Sequence, residues 1–160
     1  MNTVQIHKTG TDYRSIVARV LAIVLAGMLL YTATKKVMDL KAFAAHIEVL
    51  PFIRTWMTYV LTAIVLIIEY GLAVVLLYYP IKRWVYLAVI ALIIVYSAYI
   101  YAILHHALVL PCSCQGAFKS LSWEQHYLVN AAVAAVALTN FILVYRIHKY
   151  TNKQFKSLSV

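Results

Sequence analysis

Four apolar runs of about twenty residues each, long enough to cross the hydrocarbon core of a bilayer, leave this chain few ways to fold. They cover Ile16 to Thr34, Trp56 to Tyr79, Trp84 to Leu104 and about Gln125 to Tyr145. Once these are placed, the 160 residues leave no room for a separate water-soluble domain. Only 12% of the residues are charged, about half of what a soluble domain carries. The pattern predicts an all-α integral membrane protein, a four-transmembrane-helix bundle. It divides into a cytoplasmic N-terminal tail (1–15), a membrane domain (16–146) and a basic cytoplasmic tail (147–160). A signal peptide has a shorter apolar core followed by a small-residue cleavage site, whereas the first run is long enough to span, so it is expected to remain as a helix.

Between the first two runs, Lys35 to Thr55 alternates charged residues with Leu40, Phe43, Ala44, Ile47 and Leu50. That alternation of faces predicts a short interfacial helix, ended by Pro51 because proline cannot continue the ladder. Lys35 and Lys36 are expected to anchor the first span at the interface. Arg19 lies about one turn inside and can snorkel to the surface.

Lys and Arg number 14 against 5 Asp and Glu. They sit at span ends and in the tails, where they set orientation and meet anionic lipid, and no basic patch with interleaved aromatics suggests nucleic acid. With four spans both termini share a side. That side holds Lys8, Arg14, Lys82, Arg83, Arg146, Lys149, Lys153 and Lys156, against Lys35, Lys36, Lys41, Arg54 and Lys119 on the other. The positive-inside rule then places the termini in the cytoplasm and the segment after the third span outside. In a bacterial inner membrane that outside is the periplasm, where thiol pairs can be oxidised and exchanged.

The segment contains the only two cysteines of the chain, in Leu110-Pro111-Cys112-Ser113-Cys114-Gln115-Gly116. Three readings compete. A structural disulfide would close almost no loop, so it would add little stability through the unfolded chain. Two thiolates one residue apart can bind Cu(I) or zinc, with His105, His106 or His126 completing the set, although familiar zinc spacings are wider. A strained, easily reduced disulfide suits thiol–disulfide exchange, which needs one reachable thiolate. Pro111 would rigidify the approach to the pair, and Gly116 would permit an unusual turn after it. His105 and His106 can support a thiolate or remain solvated interfacial rings.

His126 begins the fourth run. Ser122 is expected to cap that helix and Glu124 to favour its first turn, which leaves His126 as a candidate proton carrier. Glu69 lies within the second run, about 20 Å from Trp56 at 1.5 Å per residue. An ionisable group at that depth is either a lock between helices, through Tyr96 or Tyr99, or a proton-transfer group.

The order of these features resembles the MauE family of methylamine-utilisation membrane proteins, itself related to a wider DoxX-like group, over about residues 16 to 145. The elements are Lys35-Lys36 with Asp39 and Phe43, Pro51, Glu69-Tyr70-Gly71 and Cys112-Ser113-Cys114-Gln115-Gly116. The family usually has Cys-Gly-Cys followed by Phe-Gly, so Ser113 and Gln115 depart from it. The resemblance implies a membrane partner of a thioredoxin-like protein that forms or reshuffles disulfides in an exported client, as in methylamine dehydrogenase maturation. Two cysteines give no second internal pair to relay electrons. Recharging then falls to another redox protein, to movement between membrane faces, or to a quinone in a lateral pocket near Tyr96, Tyr99, Tyr101 and Trp123. A metal-handling protein and a non-catalytic subunit of a larger membrane complex are the rival readings.

Overall fold

The computed structural model describes residues 3–51, 53–106 and 122–158, with side chains from 13 to 151 within those ranges. Its helices are α1 (Thr3–Met38), α2 (Leu40–Glu48), α3 (Thr55–Tyr78), α4 (Arg83–His106) and α5 (Trp123–Leu158). Four of them are long and apolar enough to cross a membrane, over Tyr13–Met38, Thr55–Tyr78, Arg83–His106 and Trp123–Thr151. The chain is a multi-pass membrane protein. Both tails expected from the sequence continue α1 and α5 as helix.

Large apolar side chains point outward along every span, among them Ile23, Ile67, Ile94 and Leu138. Such a surface suits lipid. Trp56, Tyr78, Tyr79, Trp84 and Tyr101 are exposed near helix ends, where amphipathic rings meet the interface.

Without a hydrophobic drive between helices in lipid, close approach and polar contacts must hold the bundle. On α1 the small residues Ala18, Ala22, Ala26 and Ala33 are fully buried, and α1 packs chiefly on α3 and α5. Asn140 of α5 is buried and donates to the carbonyl of Ala18 at 3.0 Å. Between α4 and α5, Asn130 donates to Ser97 Oγ at 3.2 Å and Tyr127 to Ser97 O at 3.4 Å. Proline ends α3, since Pro80 has no N–H to offer, and Tyr86 donates across the turn to its carbonyl.

Antiparallel helices of unequal reach create the feature that positions the site. Thr32 and Lys36 meet Glu69, so α1 ends soon after the level at which α3 still has about 21 Å to run to its start at Thr55. The backbone turns at Asp39, with φ −129° and ψ 53°, and α2 packs mainly on α3 above the end of α1. Ala44, His46 and Ile47 are its buried residues. The expected interfacial segment therefore has a buried face, and its helix ends at Glu48, before Pro51.

Candidate functional site

Glu69 is fully buried near the middle of α3, and its Oε1 collects all of its hydrogen bonds. Lys36 Nζ lies 2.5 Å away, Tyr96 OH donates at 2.5 Å and Thr32 Oγ1 at 3.3 Å. Lys36 also donates to Tyr96 OH at 2.9 Å, closing a triangle between α1, α3 and α4. The ammonium sits 4.5 Å from the Tyr96 ring centroid and 5.3 Å from that of Phe43 in α2. Four elements thus surround one ion pair. Two buried charges stay tolerable only with such compensation, because desolvation otherwise exceeds their attraction.

The expected partner Tyr96 is present, whereas Tyr99 is not: its hydroxyl is buried with no hydrogen-bond partner among the described residues. Lys36 corrects the sequence expectation. Lys35 is exposed over the Tyr31 ring, but Lys36 is only 11% exposed and paired inward. The buried stripe Ala22, Leu25, Leu29, Ala33 advances three or four residues at a time, so its next member is residue 36 or 37, and of these only 36 is a lysine. That periodicity, with a lone carboxylate needing a cation, was the available signal.

Glu69 Oε2 is buried without a hydrogen-bond partner among the described residues. It is the carboxylate oxygen left for a proton or a small donor. The cluster lies deep, since Tyr96 is ten residues from His106, about 15 Å along α4.

The end of α4 and the start of α5 flank the stretch 107–121 in the chain. His105 Nδ1 lies 3.0 Å from Tyr101 O and its ring stacks on Tyr101 at 4.1 Å. His106 is exposed. Ser122 caps α5 as expected, with Gln125 completing a reciprocal pair: Gln125 N donates to Ser122 Oγ at 3.3 Å, and Ser122 N to Gln125 Oε1 at 2.8 Å. His126 Nδ1 sits 2.9 Å from Ser122 O. A carbonyl can only accept, so Nδ1 carries the hydrogen and Nε2 holds the lone pair of the neutral ring. Trp123 packs between two imidazoles, 5.9 Å from His126 and 6.1 Å from the buried His46. His46 has no precedent in the sequence reading, because only the fold brings α2 to the start of α5.

Cys112, Cys114, Pro111 and Gly116 lie outside the described residues. Among the described residues no group of three or more His, Cys, Asp or Glu is placed to hold a metal ion.

Comparison with curated proteins and with solved structures gave no significant match. The family model described as methylamine utilisation protein MauE matches residues 14–143, which include the Lys36–Glu69–Tyr96 cluster, both cysteines and the start of α5. The chain belongs to the MauE family.

Proposed function

We propose that this MauE-family membrane protein is a thiol–disulfide exchanger working through Cys112 and Cys114. The observation that carries the reading is the position of the only two cysteines, one residue apart, in the stretch joining His106 of α4 to the capped start of α5. A partner thiolate attacks one sulfur of the oxidised pair, the internal S–S bond breaks, and the other cysteine leaves as a thiolate. A second partner thiol then attacks the mixed disulfide. The partner leaves oxidised by two electrons and the chain holds a dithiol. A quinone in the membrane or a second disulfide protein takes those electrons when the pair is re-formed, and two protons leave with them.

Histidines stand at both ends of the stretch. His126, with its Nε2 lone pair, accepts a thiol proton, and His105 and His106 support a thiolate. Below them the Lys36–Glu69 pair fixes α1, α3 and α4, and Glu69 Oε2 is the atom available for protonation. Burial of Lys36 also removes one cation from the outward count, leaving Lys35, Lys41, Arg54 and Lys119. This supports cytoplasmic termini and a periplasm-facing cysteine pair. The partner is a thioredoxin-like or exported protein, and methylamine dehydrogenase maturation is the family's precedent.

The test is capture of the partner. Cells expressing Cys112→Ser or Cys114→Ser should accumulate a mixed disulfide on the remaining cysteine, identifiable by mass spectrometry after non-reducing separation. Full function in the double Cys112→Ser, Cys114→Ser variant would rule the exchange out.

A further inference from the structure

At the end of the bundle that carries both termini, α1, the turn after α3 and α5 enclose an open pocket of about 560 Å³. Arg19, Lys82 and His148 line it, one from each element, together with Ile23, Leu77 and Tyr78. Converging cations repel one another, so such an arrangement is stable when an anion sits among them. None of the described acidic side chains provides one. Of the five acids in the chain, Asp39, Glu48 and Glu124 belong to the opposite end, Glu69 is committed to Lys36, and Asp12 precedes Arg19 by two turns with its side chain outside the described set.

Neighbouring cations are engaged differently. Arg14 lies 5.2 Å over the Tyr150 ring and Arg83 5.8 Å over the Tyr145 ring. Arg19 and Lys82 have no such cover among the described residues and face the pocket instead. His148 donates Nδ1–H to Val144 O at 3.0 Å, which leaves Nε2 of the neutral ring as an acceptor at the rim, so the charge of the pocket comes from Arg19 and Lys82.

The pocket also has an apolar side that faces lipid. Ile23 is 58% exposed and Leu77 47%, each within a membrane span. Arg19 lies six residues into its span from Tyr13, about 9 Å along the helix, from where its long side chain can snorkel back to the level of headgroup phosphates. A soluble phosphate would use the cations and leave the apolar wall bare.

We propose that this pocket binds one anionic phospholipid. Its phosphate sits between Arg19 and Lys82 with His148 at the rim, and an acyl chain descends along Ile23 and Leu77. The site lies at the opposite end from the cysteines and is independent of the thiol reading.

The test uses the full chain, purified and delipidated in a neutral detergent, then offered phosphatidylglycerol, phosphatidylcholine or inorganic phosphate. Bound lipid is counted by native mass spectrometry. The wild type should retain phosphatidylglycerol over phosphatidylcholine by roughly tenfold, a preference that weakens with added salt. Arg19→Gln with Lys82→Gln should bring the ratio near one, while Arg83→Gln, whose cation rests on Tyr145, should leave it intact. Retention of the preference by the double variant would overturn the site, as would equal loss in Arg83→Gln. Displacement of the lipid by millimolar inorganic phosphate would assign the pocket to a soluble anion and also overturn it.

Discussion

Removing one member of the Lys36–Glu69 pair should cost far more than removing both. Glu69 is fully buried and Lys36 nearly so, and loss of either partner strands the other charge inside the bundle. A buried pair broken in this way typically costs about 3–5 kcal/mol. Lys36→Met leaves the carboxylate with only the Tyr96 and Thr32 hydroxyls, and Glu69→Gln leaves the ammonium on Tyr96 and a neutral amide. The double variant has no charge to desolvate, and apolar replacement of a buried pair is commonly neutral, so its loss should stay within about 1 kcal/mol. With each single loss about 3–5 kcal/mol and the double loss about 1 kcal/mol, the cycle has a coupling energy of at least about 5 kcal/mol, above the usual range for residues in contact. Reversible unfolding in mixed micelles titrated with sodium dodecyl sulfate, followed by far-ultraviolet circular dichroism and tryptophan fluorescence, measures all four corners. Additive single and double effects, with coupling under about 0.5 kcal/mol, would refute the buried pair.

Other perturbations read different parts of the molecule. Ser122→Ala should cost about 1 kcal/mol and speed amide exchange over Trp123 to His126, because the capping pair with Gln125 is lost; unchanged exchange there would contradict the cap. Asn140→Leu should remove the side-chain bond to Ala18 O at a cost of about 0.6–1.7 kcal/mol in the same micelle assay, and a gain in stability would show the clasp to be dispensable. A membrane-impermeant thiol reagent should label the reduced cysteines of intact cells from the periplasmic side, and labelling only after lysis would reverse the orientation. The Lys36→Met, Glu69→Gln double variant, once shown to be stable, should keep thiol exchange if the pair only locks helices. Lost exchange in that stable protein assigns Glu69 to proton transfer.

The spans were legible in the sequence because a continuous apolar run needs no tertiary information, and their ends agree within a few residues except where polar tails continue as helix. Helix α1 runs through Lys35 and Lys36 to Met38, beyond the expected end at Thr34, since charge ends a hydropathy window without breaking a backbone ladder. Tyr96 could be named as a partner of Glu69 because both fall near mid-depth of neighbouring spans. Lys36 was hidden by its doublet, in which two lysines look alike until the helical stripe separates them by about 100°. His46 could not be found from local sequence, because its contact with Trp123 depends on where α1 stops.

That stopping point also explains why a charged lock occurs at this depth. A lysine in the last turn of a span that reached as far along the bundle as α3 would meet the interface and be solvated there. Here α1 ends low and turns at Asp39, so the same side chain meets α3 and α4 beneath the cover of α2. An apolar residue at 36 would pack as densely, but it would fix neither the rotation of α1 nor the depth of α3. The triangle of Lys36, Glu69 and Tyr96 closes in one register only, since a shift of one residue in any of the three helices turns a buried partner toward lipid. The pair thereby sets the height at which α2 crosses the bundle, and with it the meeting of His46 with Trp123 at the foot of the cysteine-bearing stretch.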